Sequence, residues 1–170
     1  MSAIEGRSWV VGDDVDTDAI TPSKYLVSQD PGFWASHVLE NLRPEFASGV
    51  RPGDILVAGH SFGSGSSREH APIAVRTAGI SAVIAGSFAR NFYRSAFNNG
   101  LIVLEVPGVL EHVTEGDRLR VDLASGEVSN LTRGTRIQAK PVPRFLIEIC
   151  EAGGLIPWLS AHGGWDVATA

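Results

Sequence analysis

Three short runs dominated by apolar residues, separated by two segments of helical character, occupy the middle of this 170-residue chain. The apolar runs cover 54–58, 82–85 and 101–106. The segments 68–77 and 88–98 between them read as helices, and a glycine lies within two residues of the end of each. Strands that alternate with helices in this way predict a parallel sheet with crossover helices on its faces.

Strand-like segments on both sides of this unit extend the predicted sheet. They are a short strand at 8–11 and three segments of alternating polar and apolar residues at 118–123, 127–131 and 135–139. Two further helices are predicted at 30–42 and 144–152. We therefore expect an α/β fold with a central, largely parallel sheet flanked by helices and an added β-section, in one domain over 1–170.

The charge balance and the cysteine count exclude several classes of function. A formal charge of −5 and a pI near 5.5 argue against non-specific electrostatic binding to nucleic acid or to anionic membranes. The single cysteine, Cys150, cannot alone build a zinc or iron–sulfur site or an internal disulfide. Residues 1–7 lack the apolar core of a signal peptide, and no run approaches the roughly 18 apolar residues of a membrane span. These features predict a cytoplasmic protein.

The stretch 63–70, with the sequence GSGSSREH, is the most informative loop because it lies between a buried strand and a helix. Glycines allow tight backbone geometry and a helix start offers free N–H groups, so hydroxyls and a guanidinium here make a seat for a carboxylate or phosphate. A second interpretation is a capping box, in which Ser66 caps the helix and Glu69 reaches back. The spacing leaves both interpretations open. The P-loop, the nucleophile elbow and the dinucleotide fingerprint do not fit.

Other candidate features also admit a functional and a structural interpretation. Four carboxylates within 13–18 could bind a divalent cation, although they lack EF-hand spacing, or could form a solvated turn. Arg90 and Arg94, four residues apart on a predicted helix, could clamp an anion or form a salt-bridged surface. The five histidines show no metal-ligand spacing, and Cys150 is predicted to be a small core residue.

Several motifs carry a family resemblance when they are taken in order. They are GDDVDTDAITP at 12–22, KYL at 24–26, FGSGSSREHA at 62–71, SFARNFYR at 87–94 and EAGGL at 151–155. Together they resemble the aconitase-type swivel domain, a swivelling β/β/α fold, in the form of the separate small subunits of isopropylmalate dehydratases. The resemblance extends over nearly the whole chain.

This resemblance implies a hydro-lyase that works only with a large subunit, in a heterodimer or heterotetramer, in leucine biosynthesis. The large subunit would carry the [4Fe–4S] cluster, and this chain would bind no metal. The implied reaction isomerises 2-isopropylmalate to 3-isopropylmalate by dehydration and rehydration. Ser66 matches the serine that takes the proton from carbon. Ser67 and Arg68 match its neighbours, which support an oxyanion and bind a substrate carboxylate, while Asp18 and Thr21 match residues that line the site.

The choice of substrate is predicted from Val27, which follows the Tyr-Leu pair of the second motif. In the family this position tends to be apolar for an alkyl substrate and Arg for a third carboxylate. Because an apolar side chain cannot pair a buried charge, Val27 favours isopropylmalate over citrate or homocitrate. A related dehydratase that acts on dimethylmalate, on methylmalate or on homocitrate remains the alternative. A stand-alone carboxylate-binding module is an alternative of another class, and a serine hydrolase is disfavoured because the elbow sequence is wrong.

Overall fold

The computed structural model describes residues 3–163 and contains one seven-stranded sheet with the strand order β4-β3-β2-β1-β5-β6-β7. The strands are β1 (Ala3–Val10), β2 (Ile55–Ala58), β3 (Ala82–Ala85), β4 (Ile102–Glu105), β5 (Arg118–Asp122), β6 (Glu127–Asn130) and β7 (Thr135–Gln138). All seven predicted strands are confirmed, and β1–β4 pair in parallel while β5–β7 pair antiparallel. The predicted α/β fold class is therefore confirmed.

Strand β1 joins the two sections of the sheet and is five residues longer at its start than predicted. Its last residues, Ser8 to Val10, pair in parallel with β2. Its first residues, Ala3 to Arg7, pair antiparallel with β5. The early half escaped prediction because Glu5, Gly6 and Arg7 break the apolar run, and only the register with β5 defines it as a strand.

The helices are α1 (Thr17–Ile20), α2 (Pro31–Ser36), α3 (Phe46–Gly49), α4 (His70–Thr77), α5 (Arg90–Asn98), α6 (Arg144–Glu151) and α7 (Leu155–Ala161). Helices α4 and α5 are the predicted crossovers, and the four residues of β2 and of β3 beneath them are all buried. Short 3-10 helices cover Ser23–Tyr25 and Val109–Glu111. Helix α7 was not predicted, whereas the Gly153-Gly154 stop before it is confirmed by the positive φ of both residues.

The predicted helix over 30–42 is wrong beyond Ser36. The side chain of Asp30 accepts from the Gly32 N–H and caps α2, as its sequence suggests. Leu39, however, adopts a left-handed φ of 58°, and its N–H donates to the carbonyl of Ile20 at 2.9 Å. Burial of Leu39 against the core therefore overrides its helix propensity.

The predicted single domain over 1–170 stays a prediction, and its residues 1–2 and 164–170 lie outside the described residues. Within 3–163, no helix has the length and apolar character needed to cross a bilayer. The sheet positions the functional loops, because parallel strands β1, β2 and β3 all end at the same edge. The acidic turn, the glycine–serine loop and the segment before α5 follow these three strands.

Candidate active site

Backbone hydrogen bonds join the acidic turn after β1 to the glycine–serine loop after β2. The Gly63 N–H donates to the carbonyl of Val15 at 2.8 Å, and the Thr17 N–H donates to the carbonyl of Ser64 at 2.8 Å. Asp16 and Ser64 form an isolated parallel bridge. The two loops thus continue the pairing of β1 with β2 beyond the strands, and they bring two distant sequence motifs into contact.

An aromatic cluster fixes the other side of the glycine–serine loop. Phe62 pairs in parallel with Phe88 in the segment after β3, and its ring meets that of Phe92 edge to face at 5.2 Å. Gly63 has a φ of +80°, and a Cβ there would come within 2.2 Å of Phe92. Glycine is therefore required at position 63, both for the backbone conformation and for the close approach of α5.

A cleft of about 210 Å³ opens between the two joined loops and the start of α4. Its lining includes four of the six predicted site residues: Asp18, Thr21, Ser66 and Arg68. The other lining residues are Asp16, Thr17, Ser23, Leu26, Gly65, His70 and Ala71. The fold therefore collects hydroxyls, carboxylates and one guanidinium from segments that are far apart in the sequence.

Ser66 is held by Thr17 and does not cap α4. Its Oγ lies 3.2 Å from Thr17 Oγ1, and its N–H donates to the same Thr17 oxygen at 3.1 Å. Helix α4 begins only at His70, after Glu69, and Glu69 makes no side-chain capping hydrogen bond. The capping-box interpretation is therefore wrong, because the Ser66 hydroxyl and amide are both engaged by a neighbouring loop.

Thr17 is the site residue that the sequence reasoning missed. It is buried, it opens α1 within the acidic turn, and it contacts Ser66 across 49 positions of sequence. The one sequence feature that could have indicated Thr17 is its position between Asp16 and Asp18 in the first motif of the family resemblance. Nothing in that spacing relates it to Ser66, which only the loop pairing brings near.

Asp18 and Arg68 form the charged part of the cleft. Asp18 Oδ1 accepts from the Ser23 N–H at 2.9 Å. This backbone hydrogen bond, followed by the Ser23 hydroxyl and the charge of Arg68, holds the pKa of Asp18 below its ordinary value. Asp18 therefore stays ionised near neutral pH. The negative charge of Asp18 attracts the guanidinium of Arg68 and so favours its position at the cleft.

Two lining residues carry buried polar atoms with no hydrogen-bond partner among residues 3–163. These atoms are Thr21 Oγ1 and His70 Nδ1. The His70 ring meets the ring of Trp34 edge to face at 4.4 Å, which fixes its position. Because a buried polar group without a partner is costly, these atoms mark places where a bound polar molecule or water would be stabilising.

Ser67 and Val27, the two remaining predicted site residues, are not among the cleft-lining residues. Val27 is 88% exposed, whereas the preceding Leu26 is half-buried and lines the cleft. Ser67 is exposed beside Ser66 and Arg68. The predicted role of Val27 in substrate choice stays a prediction, and the structure places Leu26, not Val27, in the cleft lining.

The segment that carries Leu26 is anchored through the carboxylate of Glu40. This carboxylate accepts from Tyr25 Oη at 2.6 Å, lies 2.9 Å from His37 Nδ1 and pairs with Lys24 Nζ at 3.0 Å. The rings of Tyr25 and His37 stack at 3.8 Å. The three contacts, with that of Tyr25 the largest, lower the pKa of Glu40 to about 2. One carboxylate thus fixes one wall of the cleft.

The other candidate residues lie away from the cleft. Cys150 on α6 is half-buried, and burial raises the pKa of its thiol to about 12, so the free thiol is protonated near neutral pH. Within the described part of the chain, no three His, Cys, Asp or Glu side chains are grouped to hold a metal ion. Arg90 and Arg94 line a separate groove with Tyr93.

Comparison with known proteins places this geometry in a family. The model of the aconitase C-terminal domain matches residues 39–108. The 3-isopropylmalate dehydratase small subunit of Thermodesulfovibrio yellowstonii is 51% identical over 155 residues, which cover 91% of this chain and 92% of that protein. The chain belongs to the family of 3-isopropylmalate dehydratase small subunits.

Two proteins of Methanocaldococcus jannaschii support this membership in sequence and in structure. The isopropylmalate/citramalate isomerase small subunit is 52% identical over 158 residues, which cover 93% of this chain and 94% of that protein. A crystal structure titled 3-isopropylmalate dehydratase is 42% identical, has a TM-score of 0.89 and covers 95% of both chains. The predicted family and fold are confirmed by these similarities. The name small subunit implies a large partner subunit for each of these relatives.

Proposed function

We propose that this chain is the small subunit of a hydro-lyase that isomerises 2-isopropylmalate to 3-isopropylmalate. The observation that carries the proposal is the convergence of Ser66, Thr17, Arg68 and Asp18 on one cleft, in a chain of the 3-isopropylmalate dehydratase small-subunit family. A cleft with a guanidinium and several hydroxyls suits a hydroxylated dicarboxylate, which needs charge pairing at one end and hydrogen bonds along its length.

Ser66 serves as the base in the proposed reaction. As alkoxide, its Oγ takes a proton from a substrate carbon; the electrons of that C–H bond form the carbon–carbon double bond, and the hydroxyl group leaves the neighbouring carbon with its bonding electron pair, as hydroxide. In rehydration, Ser66 returns the proton to the carbon that lost the hydroxyl group, while hydroxide adds to the other carbon. A free serine is too weak an acid for this role, so its surroundings must stabilise the anion.

Thr17 supplies part of that stabilisation in the proposed mechanism. The Ser66 alkoxide has no proton, so in the contact of 3.2 Å between the two hydroxyl oxygens Thr17 is the donor. Thr17 Oγ1 at the same time accepts the Ser66 N–H, which fixes its direction. Hydrogen bonds to a charged partner contribute about 1.5–3 kcal/mol, and this contribution applies only to the ionised form of Ser66.

Substrate carboxylates bind at Arg68 and at the unpartnered hydroxyl of Thr21. Arg68 is exposed at the cleft and has no carboxylate within ion-pair distance among the described residues, so its forked N–H groups are available to a substrate. Thr21 Oγ1 is buried and unsatisfied until a ligand arrives. Ser67, next to both Ser66 and Arg68, supports the oxyanion from the exposed side. Asp18 restrains Arg68 electrostatically.

The partner in this proposal is a large subunit that carries a [4Fe–4S] cluster, in a heterodimer or heterotetramer in the cytoplasm. This chain itself does not suit such a cluster, because its one cysteine is a half-buried thiol whose pKa is raised. The cleft is open on the side where Arg68 and Ser67 are exposed, and the proposed partner covers it there. No step on the residues of this chain needs a metal bound by them.

An alkyl malate is the proposed substrate because Leu26 forms part of the cleft wall and Arg68 is the one Lys or Arg among the described lining residues. A third carboxylate against this wall would be left without a partner, which is costly. Isopropylmalate meets this requirement, and its name is carried by the relatives of this chain. Smaller alkyl malates differ from it by one or two methyl groups.

The test is anaerobic co-purification of the tagged chain with its large subunit, followed by an assay of iron content and of isopropylmalate conversion. We expect an iron-containing complex whose turnover falls by about 10²–10⁴-fold in Ser66→Ala, the usual range for a lost general base. The matched control is Ser48→Ala, which removes an exposed serine hydroxyl on α3, outside the cleft. It should retain normal turnover.

Two results would contradict the proposal. Normal turnover of an intact Ser66→Ala complex would remove Ser66 as the base. A tagged chain that purifies without a partner, and that by itself binds dicarboxylates in calorimetry, would instead favour a stand-alone carboxylate-binding module.

A further inference from the structure

A second groove, distinct from the cleft, lies beside the N-terminus of α5 and has a volume of about 340 Å³. Its lining residues are Phe88, Arg90, Tyr93, Arg94 and Glu105. Both arginine side chains are exposed, one helical turn apart, while Phe88 is buried and Tyr93 half-buried. The groove thus combines an aromatic floor with two cations at its rim.

Arg90 and Arg94 are two of the five arginines that have no carboxylate within ion-pair distance among residues 3–163. Within residues 3–163, seven of the twelve arginines lie within 4.0 Å of a carboxylate; they are Arg7, Arg43, Arg118, Arg120, Arg133, Arg136 and Arg144. The chain has 19 acidic residues against 14 basic ones, so carboxylates are in excess. Arg94 donates only to the amide oxygen of Asn91, at 3.0 Å.

The acidic residue of the groove does not neutralise these cations. Glu105, at the end of β4, accepts from the Phe88 N–H at 3.3 Å and forms no ion pair with either arginine. Its charge and the burial of the ring, of which burial is the larger cause, raise the pKa of Tyr93. The Tyr93 hydroxyl therefore stays neutral and can donate a hydrogen bond.

The groove and the cleft open at the same edge of the sheet. Phe88 in the groove pairs through its backbone segment with Phe62, which belongs to the loop that carries Ser66. The Ala89 N–H donates to the carbonyl of Phe62 at 3.0 Å, immediately before Arg90. A partner that covers the cleft from this edge therefore also reaches the groove.

We propose that Arg90 and Arg94 form a docking site for a carboxylate-bearing segment of the large subunit. This inference rests on the proposed function, which requires that partner. Two unpartnered guanidinium groups over an aromatic floor suit one or two Asp or Glu side chains, which each guanidinium can bind through paired hydrogen bonds. Such pairs steer the encounter of two proteins and set the register between them, and salt weakens them.

The experiment measures the affinity of the purified small subunit for the large subunit, anaerobically and at several salt concentrations. Arg90→Gln/Arg94→Gln removes both charges and keeps side chains of similar length. The matched control is Arg118→Gln/Arg120→Gln, which removes two exposed arginines that both pair with Glu5 in the antiparallel section. We expect about tenfold or greater loss of affinity for the first pair, a weaker salt dependence, and little change for the control.

Turnover separates this inference from the function on which it rests. With the large subunit in excess, the Arg90→Gln/Arg94→Gln complex should reach the turnover of the unaltered complex, because the cleft is intact. Unchanged affinity in that variant overturns the docking site while leaving the proposed function in place. Reduced turnover with unchanged affinity would also overturn it and would assign the groove to the substrate. An unaltered chain that binds no large subunit would overturn both proposals.

Discussion

Within residues 3–163, the arginines of the antiparallel section are paired with carboxylates, whereas three arginines at the carboxyl edge of the parallel section are not. In the antiparallel section, Arg118 and Arg120 share the carboxylate of Glu5, and Arg136 pairs with Glu127. These pairs lie across neighbouring strands, where opposite charges favour the register. Their charges are therefore satisfied within the chain.

At the carboxyl edge of the parallel section, Arg68, Arg90 and Arg94 have no carboxylate within ion-pair distance in the described part of the chain. They lie on or beside the loops that line the cleft and the groove. The two halves therefore differ in what their charged side chains contact. In the antiparallel half they pair within the chain and stabilise the fold, whereas the parallel half leaves arginine side chains available for molecules outside the chain.

After Ser66→Ala, replacing Thr17 by Val is the prediction in the parallel half with the largest expected effect. The change keeps the shape of the buried side chain but removes the donor to Ser66, so we expect turnover to fall by about 10–100-fold, with a much smaller change in KM. Steady-state kinetics of the reconstituted complex measures both values. Because a less stable alkoxide requires a higher pH, the rise of turnover with pH should also shift upward.

Thr17→Ser provides the control for that prediction, since it restores the hydroxyl without the methyl group. Recovery of most of the turnover would assign the effect to the hydrogen bond. If Thr17→Val kept normal turnover while remaining folded, Thr17 would be a structural residue only.

Replacing Asn130 by Ala, in the antiparallel half, should lower the stability of the fold and leave turnover unchanged. Asn130 Nδ2 donates to the buried carboxylate of Asp117 at 2.7 Å and to the carbonyl of His112 at 3.0 Å. Loss of these bonds should lower the free energy of unfolding by about 1–3 kcal/mol, with unchanged turnover of the folded complex. Denaturant titration measures the first and kinetics the second; Ser129→Ala, on the same strand, is the control.

The pH dependence of stability sharpens that test. Burial opposes the charge of Asp117, but the Thr114 N–H, Asn130, the Thr114 hydroxyl and Arg133 together lower its pKa below the ordinary 3.8. A lowered pKa contributes stability above pH 3.8 that is lost as pH falls through the folded value. Without the Asn130 donor the pKa of Asp117 moves up toward its unfolded value, so the stability lost between neutral and acidic pH should be smaller in Asn130→Ala. Identical acid unfolding curves would contradict this assignment.

Leu26 and Val27 provide the smallest predicted effect, on substrate choice within the parallel half. Leu26→Val removes one methylene from the cleft wall and should change the preference between isopropylmalate and methylmalate by about fourfold, from ~0.8 kcal/mol. Val27→Ala should change it less, because Val27 is exposed in this chain. Competition assays compare the two. A larger effect at Val27 would mean that the assembled complex brings it to the substrate.

The strands and crossover helices could be predicted from the sequence because each produces its own local pattern. Apolar runs, glycine stops and alternating segments placed all seven strands and helices α4, α5 and α6, with errors of one or two residues at most ends. The predictions failed where distant contacts overrode local preference. Leu39 does not continue the predicted helix, because its N–H donates to the carbonyl of Ile20. The first half of β1 is a strand because it pairs with β5.

The sequence by itself determined which side chains are candidates for the proposed reaction, because the loop carrying Ser66 and Arg68 and the turn carrying Asp18 are continuous motifs. Only the tertiary structure decided how they act together. It replaced the capping role of Ser66 by a contact with Thr17, excluded Val27 from the cleft lining in favour of Leu26, and left Arg90 and Arg94 without partners. The physical reason is that hydrogen bonds across 49 residues depend on strand pairing, which no local spacing encodes.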